Sequence, residues 1–371
     1  MIIKTSLIVL IIAILLSGPV AYAEPVESDS IDSDTLTTSK GELLFLPIIF
    51  YSPETKLAGG AAVNYLFQFT SNKDGTRPSS ILPYLIYTQE KQIISKVDLD
   101  FYWANDKYNL YSEFGYVKFP GKFYGIGNDL DDAEGEDYTP RILGLLLYFK
   151  GRIYPGLYLG ANFGYEDLKM IETEDGGMLA SGDVTGSQGG AVSNLGLYFN
   201  RDTRDNMYYP LKGSYHLVSF NLYDSALGSD YEFRQYKLDL RKYVTFTKVN
   251  TFAFEILFHG VDRDPPFLKL PNFGDSNVMR GYMPMRYADK NLFVVQAEYR
   301  RPIWWKFGIV GFAGFGDVAK EIGKFKINNF KYSFGGGIRY KISADENINV
   351  RLDYGIGQGS SGLYIAFAEA F

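Results

Sequence analysis

The sequence predicts an all-β chain closed into a transmembrane antiparallel β-barrel of about sixteen strands, with one extracellular loop folded inward. Three observations predict it. The chain opens on a secretory-type leader, and 16% of its residues are aromatic, with 30 Tyr and 28 Phe beside 39 Gly. From Leu43 onward, apolar and polar residues alternate with a period of two. Aromatic girdles, recurrent tight turns and an apolar-out, polar-in alternation are what a strand-built membrane wall requires.

The leader "MIIKTSLIVLIIAILLSGPVAYAEP" carries one positive charge, Lys4, then an apolar run from Leu7 to Leu16, then Ala21 and Ala23 on either side of Tyr22. This reads as a signal peptide over residues 1–23, cut before Glu24. As a membrane anchor the run is short and meets Gly18-Pro19. Residues 24–42, through "EPVESDSIDSDTLTTSK", are acidic and rich in Ser and Thr. They hold too little apolar surface for a core and read as a flexible periplasmic tether. Residues 43–371 form the barrel. After the leader no segment reaches the roughly 18 apolar residues of a spanning helix. Cysteine is absent, which excludes disulfides and thiol chemistry, and a net charge of −6 argues against nucleic acid as a partner.

Strands are expected near 44–51, 57–69, 80–88, 92–103, 107–119, 138–150, 154–166 and 190–200. The second half continues near 212–224, 230–244, 250–260, 290–301, 306–317, 329–341, 347–355 and 362–371. In "NLFVVQAEYRRP", Phe293, Val295, Ala297 and Tyr299 share the lipid-facing parity, and Gln296, Glu298 and Arg300 the other. In "NINVRLDYGIG", Ile348, Val350, Leu352 and Tyr354 oppose Asn349, Arg351 and Asp353. The long connections 120–137, 167–189 and 261–289 fall on one side, and short turns such as "ANDK" and "RPIWW" on the other. An even barrel with both ends in the periplasm segregates its loops in this way, whereas a soluble sandwich has no reason to. Pro47 interrupts the first strand, which in a closed barrel meets the last; a weak seam and a simple bulge are both open readings.

Several weaker signals carry little chemistry. His216 and His259 are the only histidines and have opposite parity, and Ser214 is the nearest serine to His216, so no catalytic triad is suggested. The acidic stretch "NDLDDAEGED" lacks the spacing of a calcium loop and reads as solvated. "GFAGFG" and "SFGGGIRY" lie inside strands with no helix following, so they relieve crowding in the wall rather than cradle phosphate.

The loop "GDSNVMRGYMPMRYADKN", between the eleventh and twelfth strands, contains Arg280-Gly281-Tyr282. Elsewhere on the same chain stand "NRDTRDNMYYPLKG" (200–213), "AEYRRP", "FPGKFYGIGND" and a terminal Phe371. Together these resemble the R-G-[FY] loop, the D-T-R-D-N-x-x-x-P-x-x-G turn, the E-x-R-x-P strand and the Y-G-I-G-N stretch of the BamA/TamA outer-membrane assembly superfamily, also called the bacterial surface antigen family. The resemblance implies that Arg280, Gly281 and Tyr282 form a loop lock with Glu298 on the inner wall. The family's second acid, in an F-x-D-x-G strand, is Gly314 here, so Asp317 or Asp353 are the alternative acids. The family turn maps onto Asp202, Thr203, Arg204, Asp205, Asn206, Pro210 and Gly213, and Phe371 onto the terminal assembly signal.

Family members usually carry periplasmic POTRA modules. Between the cleavage site and the first strand this sequence leaves room for none, so a member without POTRA domains is expected. The resemblance further implies the outer membrane of a Gram-negative bacterium, with outer-membrane lipid and lipopolysaccharide around the wall and the barrel assembly machinery inserting the chain. It implies no enzymatic activity, no cofactor and no metal. The expected role is insertion or export of outer-membrane or surface components with a separate periplasmic partner. A passive pore or structural barrel stays open as an alternative, and an outer-membrane hydrolase is the least supported.

Overall fold

The computed structural model describes residues 41–69, 76–130, 134–247, 249–343 and 348–371. The expected signal peptide and nearly all of the tether lie outside the described residues. Sixteen long strands form the wall: β1 (Glu42–Ser52), β2 (Lys56–Phe67), β3 (Ser79–Thr88), β4 (Ile93–Trp103), β5 (Tyr108–Lys118), β6 (Glu136–Tyr154), β7 (Leu157–Thr173) and β8 (Gly190–Asp202). They continue as β9 (Gly213–Tyr223), β10 (Phe233–Thr245), β11 (Thr251–Val261), β12 (Asn291–Trp304), β13 (Phe307–Ala319), β14 (Lys331–Ser343), β15 (Ile348–Gly357) and β16 (Ser360–Phe367). Each pairs antiparallel with its neighbours in sequence, and β16 returns to β1. No helix among the described residues is long and apolar enough to cross a membrane; the crossing is made by strands.

The period of two decides which side chains face outward. Along β11 exposure alternates, so that Phe252, Phe254 and Ile256 face outward while Ala253, Glu255 and Leu257 are buried. Leu195 and Leu197 do the same on β8. In water such a surface would be a large exposed apolar patch, and in a bilayer it is the solvated face. Trp304 and Trp305, each 70% exposed, stand at the tight turn between β12 and β13 and pack with Phe307 and Tyr340. Amphipathic rings at this level form a membrane-interface girdle.

The long connections cluster at one end, as expected. Phe123, Tyr138, Leu179, Tyr223, Phe233 and Phe267 from these connections and adjoining strand ends build an apolar dome over the outer mouth. The Phe267 ring meets Phe123 at 5.1 Å and Tyr138 at 5.3 Å.

Of the strand boundaries that differ from expectation, two have a physical reason in the pairing and the backbone. The strand expected over 154–166 runs instead to Thr173, because β6 and β7 keep pairing beyond the wall as far as Tyr138↔Thr173. The last strand ends at Phe367 rather than Phe371: Ala368 adopts a left-handed φ of 58° and turns the chain off the sheet. The register Tyr51↔Ile365 would set residues 368–371 opposite 45–48 of β1, but they leave the wall. Among the described residues the seam is therefore joined by one residue pair, against eleven between β1 and β2.

Candidate functional site in the barrel lumen

The connection 262–290 between β11 and β12 does not project outward. A ribbon pairs Asn272–Phe273 with Tyr287–Ala288, and Ala288 also receives the backbone N–H of Gly127 at 2.8 Å. The tip descends into the lumen, where Arg280 and Tyr282 are 2% and 1% exposed. Gly281 makes the approach feasible. Its φ is 112°, and a Cβ there would stand 2.8 Å from backbone atoms of Ile356 and Gly357 on β15, so only glycine fits. Its N–H donates to the Tyr364 hydroxyl at 2.9 Å, and its carbonyl accepts from Ser360 at 2.7 Å. The Tyr282 hydroxyl donates to the Tyr332 carbonyl and accepts from the Gln358 N–H, both at 2.7 Å.

The arginine side chain is held on three sides. Its two terminal nitrogens donate to Glu298 on β12 and to Asp353 on β15, and its guanidinium lies 3.6 Å from the centre of the Phe312 ring. A guanidinium removed from bulk water is tolerable only with such charged and π partners. Of the two alternative acids, Asp353 is the one that Arg280 reaches. Position 314 has no room for one: a Cβ would lie 2.9 Å from Gln296 and 3.2 Å from the Met279 sulfur. Asp317 is not part of the lock; it accepts from Asn128 of the Y-G-I-G-N stretch at 3.1 and 3.2 Å.

Around this pair sits a larger network that the motifs did not reveal. Glu298 also accepts from Arg300 at 2.8 Å; Asp353 accepts from Arg339 and lies 3.5 Å from Arg351; Arg339 continues to Glu369 at 2.7 Å. Arg351 donates to Asn277 of the inserted loop at 2.7 Å. The inward parity of Arg300 and Arg351 was readable in the sequence, but their partners were not, and Arg339 joins them. Arg339 and Arg351 stand opposite each other in register, and Asp353 serves both. Gly337 leaves the space: a Cβ there would clash with the Asp353 carboxylate, as one on Gly335 would with the Phe312 ring.

Phe371 does not extend the last strand. It is 4% exposed inside the lower lumen, beside Tyr243 and Ala253, and its main-chain oxygen accepts from Arg300 at 2.6 Å. The family turn lies against this tail. Asp202 pairs with Arg204, whose guanidinium lies 4.7 Å from the Tyr215 ring centre. The Thr203 hydroxyl accepts from Ser214 N at 3.0 Å, Asp205 accepts from Leu211 N and Lys212 N, and Asn206 from Tyr208 N and Tyr209 N. Short polar side chains thus tie the turn to itself. Gly213, φ 97°, passes the Thr203 carbonyl too closely for a side chain. The turn meets the tail where Glu369 N–H donates to Tyr208 O at 3.0 Å, and Pro210 O lies 3.5 Å from Arg300.

Other flagged residues stay apart from this network. His216 has outward parity on β9; Ser214 is hydrogen-bonded to Thr203 at 3.1 Å; His259 points inward, its Nε2 without a partner. Among the described residues no group of His, Asp and Glu is arranged to hold a metal. Part of the acidic stretch 128–137 lies outside the described residues.

A closed sixteen-stranded barrel with a lipid-facing wall, capped outside and plugged by its own loop, defines an outer-membrane barrel protein. Residues 60–360 match the Omp85 superfamily domain, and the chain belongs to that superfamily. The BamA/TamA resemblance and the sixteen-stranded expectation are both met. Its fold is similar to BamA from Haemophilus ducreyi lacking POTRA domains 1–3, with a TM-score of 0.60, 13% identity, 89% of this chain covered and 70% of that one. It is similar also to CdiB from Acinetobacter baumannii (TM-score 0.57, 9% identity, 89% of this chain and 60% of that one). CdiB from Escherichia coli gives a TM-score of 0.58 at 6% identity, covering 86% of this chain and 62% of that one. The chain thus spans less than two thirds of either CdiB. No curated protein matches it in sequence.

Proposed function

We propose that the barrel aids insertion or export of outer-membrane or surface components through the β1–β16 seam, with a separate periplasmic partner delivering the client. The observation that carries this reading is the seam itself. Among the described residues, β1 keeps eleven paired residues with β2 but one with β16, so its edge from Glu42 to Phe50 lacks ladder partners on that side. An unpaired edge is a template for an incoming strand. Membership of a superfamily that includes BamA-like barrels supports the same role. A filled lumen, plugged by loop 262–290 above and residues 368–371 below, weighs against a passive pore.

Because the chain has no cysteine, Tyr51→Cys with Ile365→Cys places a single disulfide across the one paired position. Oxidised cells should lose the same outer-membrane proteins that disappear on depletion, and reductant should restore them. A locked seam that leaves that inventory unchanged defeats the seam role, and depletion without any change defeats the insertion reading as a whole.

A further inference from the structure

The outer connection 320–330 takes a course opposite to that of the inserted loop. Phe325 and Phe330 pack on Phe293 at 6.4 and 6.2 Å, and Phe330 on Phe315 at 5.8 Å. Phe293 and Phe315 belong to the outward rows of β12 and β13, so this connection lies over the lipid side of the wall. Two single 3-10 turns, Ile322–Lys324 and Ile327–Asn329, shape it. They leave Ile322 66% and Ile327 85% exposed, the latter more than any other large apolar residue described.

Lys320, Lys324 and Lys326 surround these isoleucines, all exposed and none with an ion-pair partner among the described residues. Glu321 is the one acid of the segment. Two other outer connections have the opposite character, with Glu174, Asp175 and Asp183 in one and Asp224, Asp230 and Glu232 in another. Exposed aliphatic side chains beside unpaired cations, on an aromatic base continuous with the lipid-facing wall, have the chemistry of a segment lying in a membrane interface.

We infer that residues 320–330 form a lipid-headgroup site at the outer leaflet: Ile322 and Ile327 enter the acyl boundary, and Lys320, Lys324 and Lys326 bind the phosphates of an anionic glycolipid. The site requires the outer-membrane placement and is independent of any transport role. It fixes the β13–β14 side of the wall against the leaflet, two strands from the seam strand β16.

The test uses the full chain in phosphatidylcholine vesicles doped with a phosphorylated glycolipid or its dephosphorylated form. With no native cysteine, Asn328→Cys carries one environment-sensitive probe. The probe should be quenched by brominated acyl chains, and I322S/I327S should abolish the quenching while heat-modifiable migration stays intact. At roughly five-fold per lysine near a charged surface, K320Q/K324Q/K326Q should bind the phosphorylated glycolipid roughly 100-fold more weakly. A wild-type probe that stays unquenched overturns the inference. So does equal binding of the two glycolipids, or undiminished binding by the lysine variant.

Discussion

Arg280, carried on the connection between β11 and β12, is ion-paired with Glu298 on the strand that the same connection leads into, and both are 2% exposed or less. Seventeen residues intervene between the two, so the pair fastens the loop back against the strand it leads into. Asp353, from β15, fastens it a second time across the lumen.

Without Arg280, Glu298 keeps Arg300 and Asp353 keeps Arg339, so the loss is that of two charge-assisted contacts, about 1.5–3 kcal/mol each. Arg280→Ala is expected to lower the temperature at which the barrel unfolds in heat-modifiable migration and to open residues 262–290 to protease. Glu298→Ala should do the same and also take the nearer of its two carboxylates from Arg300. The double variant should fall short of the sum by about 0.5–3 kcal/mol. Additive losses would show that the two residues act separately.

Gly281→Ala tests the backbone approach. A methyl group at φ 112° and 2.8 Å from β15 must push the tip away, carrying Arg280 off its two acids. Gly359→Ala is the control, since φ is 69° there but nothing lies within 4 Å. We expect loop proteolysis in the first variant and not in the second. Equal protease resistance in both would mean that the tip accommodates the methyl group.

The alternation of apolar and polar residues was enough to read the wall and its strand count, because a lipid-facing surface forces period two on every strand. It also placed Glu298 and Asp353 inward. It could not choose between Asp317 and Asp353, since that depends on where Asn128, far away in sequence, approaches Asp317. The inward turn at Ala368 was equally hidden: one left-handed residue moves Phe371 from the expected strand into the lumen without changing the pattern before it. The arginine network follows from cross-strand register, such as Arg339↔Arg351, which periodicity within a single strand does not encode.

The tail gives a third expectation. Phe371 fills the lower lumen beside Tyr243, and Glu369 bridges Arg339 to Asn349, with Asn349 donating at 3.0 Å. Phe371→Ala should cost about 3–5 kcal/mol if the cavity stays open. Deleting residues 368–371 should raise single-channel conductance by removing the periplasmic-side plug. Unchanged conductance in the deletion would place the barrier solely at the inserted loop and dome.

Glu54, in the turn between β1 and β2, supplies a pH dependence. Its carboxyl is pushed up to about 7, first by burial and further by the Asp275 carboxylate of the inserted loop, against the opposing effects of hydrogen bonding to Ser52 and the charge of Lys56. Its Oε2 has no hydrogen-bond partner that would favour ionisation. The folded chain therefore holds this proton more tightly than the unfolded chain, whose Glu titrates near 4.5. The stabilisation that follows is complete below 4.5 and is lost as pH rises through about 7. Above that, an ionised Glu54 faces Asp275 across the junction of turn and loop. Protease access to residues 262–290 should thus increase between about pH 5 and about pH 8. Glu54→Gln holds the side chain neutral and should flatten that increase. A variant that keeps the wild-type pH profile would assign the titration to another group.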